Sequence, residues 1–421
     1  MSTPVDFILY NAGELVTPVA IDTAQRGNEL ATLRRVENAA LAAAQGRIVA
    51  VGTEQEVRDQ VTLAENATQL DAQGRSVIPG FVDPHTHAVF GRARPEEYAA
   101  RIEGKSYLDI AAAGGGIHSS VRDLRARSED DLVEISLPRL RRMLHHGSTT
   151  VEIKTGYGLT AEDELKTLRA IHRLRKLTPQ QLVATFLGAH EIPLEFRTRR
   201  EDYVRQVIEE FLPLAAPLAD FNDVFCEPSV FTKEETTEIL RAGQKLGLAA
   251  KLHADELASY GAAELACELG AVSADHLILV SDDGIAALGK SDTVAVLLPA
   301  TSFGLALMHY APARKLIEAG AAVALATDFN PGSSHCPSMQ AAWSLACSMM
   351  RMTPAEGLVA CTQNAAMAVG CGASVGSLVP GKRCDLVVTS GKDYREVPYC
   401  FGVNNAHVVV CDGEVVWTAA S

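Results

Sequence analysis

Two histidines separated by one threonine, His85-Thr86-His87, follow directly on the apolar run Val77 to Val82. Alternate residues on an extended backbone point to one side, so both imidazoles can meet a single divalent cation. Alone, an H-x-H pair is weak, because two surface polar residues fit it equally well. Here three more apolar runs end in residues of the same chemistry: Lys251-Leu-His253-Ala-Asp-Glu256, Ala274-Asp-His276 and Ala326-Thr-Asp328. Three imidazoles and one carboxylate would leave an open coordination position, as a hydrolytic metal needs for water. Glu256, three residues beyond His253, is placed to take that water's proton and pass it to a leaving nitrogen. His276 is suited to polarise a carbonyl or hold an oxyanion. Each residue has a plainer role open to it: Asp328 as a helix N-cap, Glu256 as a solvated acid, a lone histidine as a satisfied loop residue. Their joint position at strand ends favours chemistry.

These residues need a scaffold that gathers strand ends. From Val77 to about Gly370 short apolar runs alternate with charged, helical stretches, the mark of repeated βα units. The strand candidates are Val77–His85, Thr149–Lys154, Leu182–Ala189, Asp223–Glu227, Leu248–Ala254, Ala271–Leu277, Thr293–Thr301 and Ala321–Asp328. Amphipathic segments such as Glu162–Lys176, Lys233–Leu246 and Ser259–Leu269 lie between them. The pattern predicts an α/β chain with a closed (β/α)8 TIM-type barrel over 77–371, its active site at the C-terminal strand ends. An open doubly wound sheet is the structural alternative. The flanks carry short strand-like runs (Phe7–Tyr10, Arg47–Val51, Asp385–Thr389, Ala406–Cys411, Glu414–Trp417), with Asp412-Gly413 as a hairpin turn. Neither flank makes a core alone, so 1–76 and 372–421 are expected to form one composite β-sandwich domain. The Ala-rich stretch Val36–Ala44 reads as a surface loop or short helix. Gly114-Gly115-Gly116 reads as a flexible loop near the mouth, since it lacks the spacing of a phosphate cradle.

Composition narrows the class. The chain of 421 residues is 47% apolar and 21% charged, ordinary for a soluble globular protein. A formal net charge of −14 with no basic cluster argues against a nucleic-acid partner. No apolar run approaches the ~18 residues of a membrane span. Nine scattered cysteines without a C-x-x-C pair fit reduced thiols and a cytoplasmic location.

The order and spacing of His85, His87, His253, Glu256, His276 and Asp328 resemble the amidohydrolase superfamily. The resemblance extends over essentially the whole chain, including the split β domain and the return segment Gly381-Lys-Arg-Cys-Asp-Leu-Val387. It implies one metal ion per chain, zinc or iron, held by His85, His87, His253 and Asp328. Some members hold two metals bridged by a carboxylate after the fourth barrel strand, where Glu227 stands here. His253-x-x-Glu256 is the pattern of one-metal members that open or deaminate cyclic C–N bonds. Lys154 looks misplaced for a bridge and reads as a structural or ion-pair residue.

The mouth segments refine this. Arg94, Thr155-Gly-Tyr157-Gly-Leu159, Gly188-Ala-His190-Glu-Ile-Pro193 and Asp328-Phe-Asn330-Pro-Gly332-Ser333-Ser334 are similar to those of the superfamily members that open the ring of 4-imidazolone-5-propanoate in histidine degradation. The resemblance implies catalytic roles for Glu256 and His276. It assigns substrate contacts to Arg94, Tyr157, His190, Glu256, Asn330, Gly332 and Ser333, with Tyr107 a weaker candidate. Arg94 would pair its planar fork with the propionate. The partners expected are this small molecule and a second copy of the chain in a homodimer. A purine or pyrimidine aminohydrolase, for which such an arginine is unnecessary, is the nearest alternative. A non-catalytic assembly protein on the same scaffold is the more distant one; intact ligand residues speak against it.

Overall fold

Short runs rich in Val, Ile, Leu and Ala that are apolar at almost every position can be buried on both faces, and that burial is what a parallel sheet wrapped in helices supplies. A computed structural model of the chain describes residues 2–105, 109 and 114–420. The strands among them are β1 (Thr3–Pro18), β2 (Leu33–Ala44), β3 (Arg47–Thr53), β4 (Val61–Asp71), β5 (Ser76–Pro79), β6 (Phe81–Asp83), β7 (Ser148–Lys154), β8 (Gln181–Ala189), β9 (Phe221–Cys226), β10 (Ala249–Ala254), β11 (Ser273–His276), β12 (Val294–Leu297), β13 (Val323–Leu325), β14 (Leu386–Thr389), β15 (Ala406–Cys411) and β16 (Glu414–Thr418).

Strands β6 to β13 pair in parallel in chain order, which is the (β/α)8 barrel expected. The circle closes at its C-terminal rim, where Thr86 bridges Phe329 in parallel. There the Asp328 amide donates to the His85 carbonyl at 3.1 Å and the His87 amide to that of Phe329 at 2.9 Å. Asp83 adds a side-chain tie between the two strands, accepting from the Thr327 amide at 3.1 Å and its hydroxyl at 2.6 Å. The seam of the barrel and the H-x-H pair are thus the same place. The intervening helices start on hydroxyl caps. Ser128 with Asp131 and Thr232 with Glu235 form capping boxes ahead of Glu129–His145 and Lys233–Lys245.

The remaining strands make one mixed sheet from both chain ends, in the order β16-β15-β14-β5-β1-β2-β3 with β4 on β1. Its core cluster draws Phe7, Leu9 and Leu41 from one end of the chain and Leu386, Val408 and Val410 from the other. This is the composite β-sandwich domain of the expected fold class.

Three details differ from the sequence reading. The strand expected over Val77–His85 is two strands: β5 pairs with β1 and β14, whereas β6 begins the barrel. The chain crosses at Gly80, whose amide donates to the Asp385 carbonyl at 3.0 Å and whose added Cβ would lie 2.3 Å from Thr149 Oγ1. The stretch expected as a loop or helix at Val36–Ala44 is part of β2, between β1 and β3, with residues 39–43 buried. Pairing on both edges overrides the helix preference of alanine, and the small side chains let the layers approach. The run expected over Thr293–Thr301 stops as a strand at Leu297, because Pro299 opens the helix Pro299–Gly304. All nine cysteines carry free thiols. Among the described residues no helix is long and apolar enough to cross a membrane.

Candidate functional site

At the rim, β6 delivers His85 and His87, and β10 delivers His253. One ligand atom from each lies within 4.8 Å of the other two, and all three side chains are buried. Asp328 Oδ1, from just beyond β13, stands 3.7 Å from His85 Nε2 and 3.8 Å from His87 Nε2. A cation about 2.0–2.2 Å from each of four such atoms would set them about 3.4 Å apart, so the cluster is near the right size. The hydrogen bonding fits too. His85 Nδ1 meets Asp275 Oδ2 at 2.6 Å, and His253 Nδ1 meets Asp223 Oδ1 at 3.2 Å. Their Nε2 atoms are buried without a hydrogen-bond partner. Carboxylates that fix one ring nitrogen and leave the other bare are the usual setting of a metal-bound histidine. Burial, reinforced by Lys154 and neighbouring histidines, holds His85 well below the ordinary imidazole pKa and so neutral. The donor set therefore fits a divalent metal, and neither zinc nor iron is selected by it.

Asp223, Asp275, Glu152 and Lys154 were not singled out as parts of a site from sequence, beyond the ion-pair reading of Lys154. A signal existed: Glu152 and Lys154, Lys251 and His253, Ser273 and Asp275 each stand two apart in one short strand. That spacing sends them together to the barrel interior. Lys154 Nζ lies 2.8 Å from Glu152 and 2.7 Å from Asp223. Burial alone would lower its pKa, but the three carboxylates around it raise it and keep the ammonium charged.

Glu256 sits on a loop built to hold it. Its amide and that of Leu257 donate to Glu227 Oε1 at 2.7 and 2.9 Å. Asp255 accepts four amides from Tyr260 to Ala263, which fastens the far end of the loop to the start of the helix Ala262–Glu268. The glutamate considered for a metal bridge thus commits one oxygen to positioning Glu256. Glu256 Oε2 faces His276 Nε2 at 3.5 Å. Burial, then the charges of Asp328 and Glu227, push the Glu256 carboxyl well above its ordinary pKa. Asp255, His276, Leu277 and Asp328 all carry left-handed φ angles of 51 to 78°. Four strained non-glycine residues at one rim are the kind of cost that functional sites retain.

A cavity of about 430 Å³ opens above the cluster, lined by His87, Arg94, Tyr157, His190, His253, Glu256, His276, Asp328, Asn330, Gly332 and Ser333. Of the four expected metal ligands, only His85 is absent from its wall. His190 stacks on His87, the rings 5.0 Å apart at 11°, and the Tyr157 ring lies tilted 5.5 Å from that of His87. His190 Nδ1 bonds the Gly156 carbonyl at 3.0 Å, and Gly156 (φ +106°) leaves no space for a Cβ beside that ring. The Tyr157 turn is tied by Glu164, which accepts the amides of Gly156, Gly158 and Leu159. Asn330 spends its side chain on its own turn: Oδ1 accepts the Gly332 and Ser333 amides at 2.7 and 2.8 Å, and Nδ2 donates to the Asp328 carbonyl at 2.7 Å. Tyr107 lies outside the described residues.

Arg94 lines the same cavity. Its Nη1 is 3.4 Å from Glu97 Oε2, yet Nε and Nη1 make no hydrogen bond. Arg101, which sequence reasoning missed, lies beside it and donates to the Gly304 and Gly332 carbonyls at 3.0 and 3.4 Å. The Arg94 fork lies against Gly332, where an added Cβ would stand 1.5 Å from Nη2. Gly332→Ala is therefore expected to fold normally and to raise KM about tenfold by displacing the fork, a loss of ~1.4 kcal/mol. Steady-state kinetics beside a thermal melt check this.

The barrel, the split sheet and the histidine–aspartate rim define a metal-site hydrolase architecture, and the comparisons agree: the model of the amidohydrolase family matches residues 76–416. The chain belongs to the amidohydrolase family. It is 47% identical over 416 residues to the imidazolonepropionase of Symbiobacterium thermophilum, covering 98% of this chain and 97% of that one. It is 46% identical over 413 residues to the imidazolonepropionase of a Geobacillus strain, covering 97% of each. Among solved structures, a zinc-bound adenosine deaminase from Xanthomonas campestris superposes with a TM-score of 0.71 over 99% of this chain and 93% of that one, at 18% identity. A 5-methylcytosine deaminase from Klebsiella pneumoniae gives 0.72 over 98% of both chains, at 15% identity. At such identities these two speak for the fold alone.

Proposed function

We propose that the chain hydrolyses the ring amide C–N bond of 4-imidazolone-5-propanoate to N-formimidoyl-L-glutamate, a step of L-histidine degradation. The observation that carries this reading is the near-full-length similarity to imidazolonepropionases. The cavity supports it, because a metal-type cluster and an arginine fork with free donors both line it. His85, His87, His253 and Asp328 would hold one zinc or iron ion. When bound, that ion supplies Lewis acidity and a water deprotonated near neutral pH.

The side chains do the rest. Arg94 pairs with the propionate and sets the ring's distance from the cluster. Tyr157 and His190 wall the ring on the side of β7 and β8, while Gly332 and Ser333 border it from the turn that Asn330 shapes. Glu256 takes the proton of the attacking water and returns it to the nitrogen as the C–N bond breaks. Burial beside Asp328 and Glu227 raises its pKa, which helps the carboxyl accept the proton. His276, against Glu256, hydrogen-bonds the oxyanion that forms at the former carbonyl.

The test is the ultraviolet loss of freshly prepared 4-imidazolone-5-propanoate with purified protein. Turnover is expected to disappear after chelator treatment and to return with Zn²⁺ or Fe²⁺. Stable absorbance in a protein that holds stoichiometric metal would overturn the substrate assignment. A cytoplasmic homodimer completes the proposal. Free thiols at all nine cysteines support the compartment. The apolar side chains of Phe303, Phe401 and Val403, exposed around a second cavity of about 600 Å³, support association. A monomeric mass in solution would refute the dimer.

A further inference from the structure

Below the histidines the barrel interior holds buried charges that the reaction does not use. Lys154 Nζ lies 2.8 Å from Glu152 Oε1, 2.7 Å from Asp223 Oδ2 and 3.5 Å from Asp275 Oδ2, and all four side chains are fully buried. Asp275 Oδ2 is the atom that meets His85 Nδ1, and Asp223 meets His253 Nδ1. Glu152 Oε2 accepts the amide of Thr86, the residue between His85 and His87, and the Lys154 amide donates to the Thr86 carbonyl at 2.8 Å. One ammonium is therefore in contact with the carboxylates that hold His85 and His253 and with the one that holds the backbone between His85 and His87. Lys251, the nearest other cation, is turned to the Ala368 carbonyl at 2.9 Å and stands 4.0 Å from Asp275. Without Lys154, three carboxylates would face one another in a dry interior. The two that hold His85 and His253 would lose the group that fixes their position, and the imidazoles would lose their aim with them.

We infer that Lys154, with Asp223 and Asp275, is a positioning group for the metal centre. It neutralises and fixes the two carboxylates that aim His85 and His253, so both Nε2 atoms point to one place before a cation arrives. The inference rests on the reading of those histidines as metal ligands.

The experiment is a Zn²⁺ titration of the full chain against a chromophoric chelator, with a thermal melt of each variant. Zn²⁺ affinity is expected to fall about 10- to 100-fold in Lys154→Met and in Asp275→Asn. If Lys154→Met does not fold, Lys154→Met with Glu152→Gln removes one charge of each sign, and Asp275→Asn leaves Lys154 two acidic partners. Both read the same loss. Wild-type Zn²⁺ affinity in the folded variants, with only the melt lowered, makes the group merely structural and overturns the inference. His253→Ala separates the two readings: full Zn²⁺ affinity in that variant refutes the ligand assignment itself.

Discussion

Glu256→Gln is expected to lower kcat by about 10²- to 10⁴-fold, the usual contribution of a positioned acid–base group, while KM and metal content stay near wild type. Glutamine keeps the volume and one oxygen acceptor, so the loop should hold its shape. The loop is set by other groups, namely Glu227 on the amides of residues 256 and 257 and Asp255 on four amides further along. The side chain that changes makes one close polar approach, to His276 Nε2 at 3.5 Å. What is lost is the ability to take a proton from water and return it to the departing nitrogen. Substrate-loss kinetics combined with metal analysis of the same preparation check it. Loss of metal would move Glu256 into the ligand set, and a rise in KM with kcat intact would make it a binding residue.

Much of this site was legible because a βα barrel turns local sequence into global position. A strand's last residues reach the same rim whichever strand it is, so H-x-H, H-A-D-E, A-D-H and A-T-D could be assembled without knowing any contact. What was not legible depends on partners far along the chain. Val77–Pro79 looks continuous with Phe81–Asp83, and it is pairing with β1 on one edge and Leu386–Val388 on the other that takes it into the other sheet. Likewise β2 is alanine-rich and helix-prone until β1 and β3 are both in place. The supporting charges were hidden for another reason. Asp223 or Glu152 alone reads as a polar residue in a strand, and its role appears only when Lys154 and the histidines converge on it. Asn330 shows the converse: a motif residue whose side chain the structure finds closing its own turn.

Arg94→Ala is expected to raise KM about 100-fold with little change in kcat, a loss of ~3 kcal/mol for removing one partner of an enclosed charge pair. The direction follows from the group the fork is proposed to meet. The propionate does not change charge during the reaction, so a fork on the cavity wall that pairs with it binds ground and transition states alike. The size follows from enclosure: the side chain is about one-tenth exposed, and Nε and Nη1 have no hydrogen-bond partner. Glu97 faces Nη1 at 3.4 Å and turns its other oxygen to the Gly116 amide at 3.1 Å. A substrate carboxylate would therefore meet two guanidinium groups, Arg94 and Arg101, offset by one acid, a balance that favours a single negative charge. Arg94→Lys should recover only part of the loss, because an ammonium keeps the charge but not the paired donors. Comparing KM and kcat for the alanine and lysine variants separates the effects. A fall in kcat in Arg94→Ala equal to its fall in kcat/KM would instead place Arg94 among the groups that act only in the transition state.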